Sequence, residues 1–364
     1  VLHQKNRYFF SFDWVSFALT LVLTLIGLLF VYSSTTTVGV PYSIYFKKQV
    51  LGIATGLAIY LFFCFKDYRA LCRFGYFAFF TVMLLLVYTL IKGKIGMGAQ
   101  RWIDIKIFRF QPSEITKLFF PAFFTYFLYT ENDVPVYKFS NFIPLLGTLF
   151  LSSVLILKQP DLGTAIVFFS SGLSMLWLAG IGKRFFRMFI LCCIIGAPLG
   201  WHFLKPYQKQ RILVFTGAGD ARKERYQIEQ SIIAIGSGGI FGKGFTQGTQ
   251  NQLLFLPESR TDLIFSVLCE EWGFIGALLL LTVYCMLFLR ILYRILYVPT
   301  FFAQLLALGL LLPISISAGI NVAMVCGLLP IVGVPLPLIS YGITSLWMTF
   351  ASLGWIQGIT RKMV

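Results

Sequence analysis

Uncharged apolar runs recur along almost the whole chain, each long enough as a helix of about 20 residues to cross roughly 30 Å of hydrocarbon. They lie near residues 14 to 34, 48 to 65, 74 to 92, 111 to 130, 141 to 157, 163 to 181, 186 to 204, 262 to 289, 300 to 326 and 338 to 358. Residues 295 to 360 hold no Asp, Glu, Lys or Arg, so they must carry two spans joined by a short Pro/Gly turn around GLLPIVGVPLPL. The first run follows Lys5 and Arg7 but shows no small-residue cleavage site, and it reads as a retained span. The pattern predicts an all-α, polytopic integral membrane protein with about ten transmembrane helices, one membrane domain over residues 1–364.

Composition agrees: 58% of residues are hydrophobic, 17% aromatic and only 12% charged, so most of the chain cannot face water. Charge adds sidedness. With a cytoplasmic N-terminus, the short inner segments carry Lys66, Arg69, Arg73, Lys183, Arg184, Arg187, Arg290 and Arg294, as the positive-inside tendency requires. Both termini are then cytoplasmic, and residues 205–261 form a large extracytoplasmic loop between helices seven and eight. Two outer loops break the bias, one with Lys92, Lys94, Arg101, Lys106 and Arg109, the other with Lys205, Lys209, Arg211, Arg222, Lys223, Arg225, Lys243 and Arg260. An anionic phosphate or pyrophosphate headgroup at the outer face would account for them, and so would contact with anionic membrane lipid. Nucleic acid explains the net charge of +16 poorly, because the cations are divided between two membrane faces.

The chemistry is bounded by scarcity. Seven cysteines lie in or beside apolar spans without metal or disulfide spacing, and two histidines, His3 and His202, leave no room for a His-based triad. A general base must therefore come from 14 carboxylates, five of which (Glu229, Glu258, Asp262, Glu270, Glu271) fall within residues 226–276, around a glycine-rich stretch. Asp262 opens the eighth span after a turn containing Pro257, at the edge of the bilayer and the positive end of a helix. Continuing the helix places Asp262 and Glu270 on one face, lining one groove. A helix-start acid and a buried polar pair are the plain alternatives, equally open on position alone.

Residues 100–117, QRWIDIKIFRFQPSEITK, combine Trp102 and alternating apolar residues, suited to a segment at the interface, with Glu114 and Lys117 one helical turn apart. In KQPDLGTA, residues 158–165, Lys158 and Asp161 flank a proline turn that by itself reads as an ordinary helix start.

These two segments, with YQIEQSIIAIGSGGIFGKGFTQGTQ, FLPESRTDLIF, CEEWGFIG and LPIVGVPLPLISYG, occur in an order that resembles the family of shape, elongation, division and sporulation proteins over nearly the whole chain, its RodA branch most of all. The resemblance implies a peptidoglycan glycosyltransferase that polymerises lipid II on the outer leaflet of the bacterial cytoplasmic membrane during elongation. Its partners would be undecaprenyl-pyrophosphate-linked glycan and a class B penicillin-binding protein. It maps the family's essential aspartate onto Asp262, as general base in an inverting transfer. It implies substrate contacts at Arg101, Trp102, Glu114, Lys117, Lys158, Asp161, Arg211, Gln230, Ser231, Glu258, Thr261 and Glu270. A divalent cation, Mg or Mn, is compatible with the pyrophosphate chemistry, though no carboxylate cluster calls for one. The glycine-rich stretch reads as an adaptable wall of the headgroup groove. Three departures from the family pattern are the approach FTGAGDARKERYQ, Val332 in place of threonine and Ile343 in place of glycine. A lipid flippase, suggested by Ser315, Ser317, Gly319 and Asn321 in span nine, and a non-catalytic scaffold are the competing functions.

Overall fold

The computed structural model describes residues 12–36, 42–96, 99–104, 109–131, 139–203, 206–215, 222–253 and 255–361. Its helices are α1 (Trp14–Thr35), α2 (Ile44–Phe65), α3 (Tyr68–Lys92), α4 (Pro112–Glu131), α5 (Phe139–Lys158), α6 (Leu162–Leu178), α7 (Lys183–Phe203), α8 (Pro206–Phe215), α9 (Arg222–Ser237), α10 (Thr249–Gln252), α11 (Ile264–Leu296), α12 (Phe301–Val325) and α13 (Ile343–Arg361). Each expected span coincides with a helix, and among the described residues six (α1, α2, α3, α5, α11, α12) are long and apolar enough to cross a membrane. Of the others, α6 has 17 residues, and α4 and α7 begin with charged turns. Starts are set by side-chain caps: Asp13, Ser43, Asp67, Asp161 and Thr300 each accept a backbone N–H from the first turn.

The apolar surface faces both ways. Leu25, Leu51, Leu84, Ile91 and Phe150 are more than half exposed, as lipid-facing positions require, while Leu23, Phe30, Phe79 and Leu86 on the same helices are fully buried. Helices α2 and α13 approach closely at their glycines. A Cβ on Gly56 would lie 2.4 Å from the Phe350 ring, and one on Gly354 would lie 2.3 Å from the Tyr60 carbonyl oxygen. Small residues four apart on both helices let the backbones meet, and this packing replaces the hydrophobic drive that lipid does not supply. A second core, among α3 to α6, is built from Phe79, Phe120, Phe123, Phe124 and Phe168, with Phe79 stacked 4.6 Å from Phe123.

At the end where α1 begins, Asp13 is tied to Arg290 of α11 at 3.1 Å and to Arg294 at 3.8 Å. Burial pushes the Asp13 carboxyl up, but hydrogen bonds from Arg290 and Ser16 and the Arg290 charge outweigh it and hold it below the ordinary carboxylate value of 3.8. A lowered folded value means the tie contributes stability above that pH and loses it as pH falls through the lowered value.

At the other end, two features depart from simple helices. Residues 94–110 form a three-stranded antiparallel sheet, β1 (Lys94–Gly96), β2 (Ala99–Asp104) and β3 (Arg109–Phe110), in the order β1-β2-β3. Of the expected interfacial segment, Arg101, Trp102 and Ile103 lie in β2 and Phe110 in β3, while residues 105–108 lie outside the described set. The second feature is a break in α11 at Gly273, with φ 65° and ψ −162°. The amides of Phe274 and Ile275 donate to the carbonyls of Gly239 (2.9 Å) and Ile240 (3.2 Å), and those of Lys243 and Gly244 donate to the carbonyls of Glu270 and Glu271, both at 3.0 Å. The glycine-rich segment is therefore a clasp that exchanges backbone bonds with the broken helix. A Cβ on Gly242 would lie 2.1 Å from the Glu271 carbonyl oxygen, so glycine serves close approach here.

Candidate active site

The candidate base sits on a turn held through the carbonyls of Glu258, Arg260, Thr261 and Asp262. Residues 257–263 form turns, Glu258 takes the left-handed conformation (φ 51°), and its carbonyl accepts from the amides of Thr261 (3.1 Å) and Leu263 (3.3 Å). The Arg260 carbonyl then accepts from the Tyr341 amide at 2.9 Å, that of Thr261 from the Ser340 hydroxyl at 2.6 Å, and that of Asp262 from the Asn321 amide at 2.9 Å. Asp262 is half-buried, at the rim of the fully packed start of α11. Leu263 is the N-cap position of α11 and gives it no side-chain cap.

The segment that holds this turn, residues 326–342, is non-helical backbone, and its part from Ile331 to Ser340 is sunk into protein. Val334, Leu336, Leu338 and Ile339 are buried, and a Cβ on Gly27 would lie 2.5 Å from the Leu338 carbonyl oxygen. Gly27 is eight residues from the end of α1, a depth of about 12 Å at 1.5 Å per residue. Irregular backbone at such depth is tolerated where protein groups satisfy it. Asn321 and Ser340 do so here, Asn321 bonding the Val334 carbonyl at 2.7 Å and Ser340 accepting from the Leu336 amide at 2.8 Å.

One loop apex joins the candidate base to the KQPDLGTA segment. Gly333 (φ 76°) carries no Cβ, and one added there would lie 3.4 Å from Asp262 Oδ2; on the far side, a Cβ on Gly163 would lie 2.6 Å from the Val332 carbonyl oxygen. Two residues from Gly163, Asp161 is a buried hub. It pairs with Arg101 of β2 at 3.1 Å, accepts from Gln111 at 2.7 Å and Ser113 at 3.3 Å, and caps α6 through the Thr164 amide at 3.3 Å. It thereby fixes the sheet and the starts of α4 and α6 together, with Arg101 over the Trp102 ring at 5.9 Å. Glu114 and Lys117 form the expected ion pair at 2.6 Å. Arg260 lies over the Tyr45 ring at 4.0 Å.

Other expected site residues are placed differently. Lys158 is exposed at the end of α5, and Asp161, across the proline turn, is buried. Glu270 does not share a groove with Asp262, because α11 begins only at Ile264 and Glu270 is fully buried against Lys243 (2.7 Å), Thr249 (3.1 Å) and the Gln250 amide (3.0 Å). Glu271 bonds Ser33 of α1. Both acids belong to the clasp. Ser231 is buried between Ser266 (2.7 Å) and the Val325 carbonyl (2.8 Å), a contact that packs α9 on α11 and α12. Gln230 is half-buried on α9, Glu258 accepts from Thr261 at 3.2 Å, and Arg211 lies on α8 with its side chain outside the described set. Sequence reasoning gave Asn321 and Ser340 no role in holding Asp262. The available signal was a buried-type amide in a stretch free of charge. Among the described residues no group of three His, Cys, Asp or Glu is placed to hold a metal ion.

Residues 13–363 match the family model described as cell cycle protein, FtsW/RodA/SpoVE. The peptidoglycan glycosyltransferase MrdB of Escherichia coli K12 is 39% identical over 322 residues, covering 87% of this chain and 86% of that protein. The stage V sporulation protein E of Bacillus subtilis is 34% identical over 359 residues, covering 96% and 97%. Among solved structures, a chain of a peptidoglycan synthase complex that coordinates polymerization and crosslinking superposes with a TM-score of 0.80 at 25% identity, over 97% of this chain and 98% of that one. The rod shape determining protein RodA of Thermus thermophilus does so at 0.72 and 24% identity, over 96% and 97%, a likeness of fold. With its buried hub, its carboxylate-bearing turn and a match along almost its whole length, the chain belongs to the FtsW/RodA/SpoVE family of cell cycle proteins.

Proposed function

We propose that this chain is a peptidoglycan glycosyltransferase that polymerises lipid II at the outer face of a bacterial cytoplasmic membrane, with ten helices crossing and the Asp262 end outward. The observation that carries the reading is a half-buried carboxylate on a rigidly hung turn, one loop apex from the Arg101–Asp161 hub. Asp262 takes the proton from the acceptor sugar hydroxyl as that oxygen attacks the donor anomeric carbon. An α-linked donor then gives a β-linked product in one inverting displacement, with no second nucleophilic carboxylate. The leaving pyrophosphate gains charge in the transition state, and cations fixed beforehand stabilise it best. Asp161 and Glu114 hold Arg101 and Lys117 for that task, at 3.1 and 2.6 Å.

The partner in this reading is a class B penicillin-binding protein, which crosslinks the glycan as it emerges. The test is polymerisation of lipid II by purified protein with that partner. Asp262→Asn should lower the rate by about 100-fold or more, the range a positioned general base supplies, while the protein stays folded. Undiminished polymer from a folded variant would overturn the assignment. The broken α11 and the sunken segment 326–342 favour a flippase as the second reading, since transporters place interrupted backbone at depth. Lipid movement in proteoliposomes without polymer would select it.

A further inference from the structure

Asn321 lies in the last turn and a half of α12 and is fully buried. Both of its Nδ2 protons are used, one on the Asp262 carbonyl at 2.9 Å and one on the Val334 carbonyl at 2.7 Å. The amide cannot be flipped, because its oxygen would then face two carbonyl oxygens at those distances. As it stands, Oδ1 is buried and has no hydrogen-bond partner. A leucine of similar size would leave no such acceptor unmatched. The position thus keeps two donors despite an unfavourable acceptor.

We propose that Asn321 is a positioning residue for Asp262, a proposal that rests on the reading of Asp262 as the base. The geometry shows how it acts. Val334 adjoins Gly333, the residue on which the Asp262 carboxylate rests. A single amide therefore fixes the main chain that carries the carboxylate and the floor beneath it. Ser340 repeats the arrangement one residue earlier, donating to the Thr261 carbonyl while accepting from the Leu336 amide. Without the Asn321 donors, turn and floor are free to shift against each other. The carboxylate then leaves the line of attack, although nothing that binds the donor substrate has been removed.

The experiment is steady-state polymerisation by full-length protein with its transpeptidase partner, comparing Asn321→Leu, Ser340→Ala and Asp262→Asn. For Asn321→Leu, kcat should fall about 100-fold, the scale of a misplacement of about 1 Å, with KM for the lipid-linked donor kept within about threefold. An unchanged kcat, or a loss carried by KM, overturns the proposal, because a merely structural residue would not confine its effect to turnover. Should Asn321→Leu fail to fold, Ser340→Ala decides, with a fall in kcat of about tenfold at constant KM expected and no fall overturning it. Normal polymer from Asp262→Asn overturns the base itself, whatever Asn321 does.

Discussion

At the scale of single residues, the site depends on where side chains are missing. Gly163 meets the Val332 carbonyl oxygen, a backbone atom that cannot swing aside. Gly163→Ala should therefore push the loop apex away from α6 and move the floor under Asp262, leaving Asp161 and Arg101 chemically intact. Polymerisation is expected to fall at least about tenfold, with the thermal midpoint lowered by only a few degrees, as a single overpacked methyl costs about 1–3 kcal/mol. Full activity in that variant would mean that the apex does not set the site. Asp262 was singled out by the family resemblance, because the scarcity of carboxylates only shortened the list and position alone left it level with a helix-start acid. Asn321 was not, because a lone amide in an apolar span signals only that some carbonyl needs a donor, and the carbonyls it meets come from residues 262 and 334.

At the scale of elements, hydropathy located the helices, because length and apolarity are what the membrane selects. It could not locate the break in α11. Cys269 to Gly276 read as continuous helix, and only the donors and acceptors supplied by the glycine-rich segment make an interruption at Gly273 tolerable. The same ignorance placed Glu270 on the face of Asp262. In the structure its carboxylate holds the clasp shut through Lys243, the cation nearest to it. Lys243→Met should then leave a buried carboxylate without its counter-charge and destabilise the fold by about 3 kcal/mol. Adding Glu270→Leu should recover much of that loss, as read by thermal unfolding in detergent. A single variant as stable as the parent would show the ion pair to be dispensable.

At the scale of the whole molecule, charges divide between the two ends of the bundle. The Asp13–Arg290–Arg294 tie stands at one, the sheet, hub and Asp262 turn at the other. On a cysteine-free background, Lys94→Cys in exposed β1 should react with a membrane-impermeant maleimide in intact spheroplasts, and Arg69→Cys only after permeabilisation. The opposite pattern would invert the proposed orientation. The donors to the Asp262, Thr261 and Arg260 carbonyls are electrically neutral: an amide side chain, a hydroxyl and a backbone N–H. Those three bonds carry no charge to be screened by salt, unlike the charged clasp a few residues away. Across the pH range of the living envelope those three bonds neither gain nor lose a proton, so titration within the turn falls to its own carboxylates, Glu258 and Asp262.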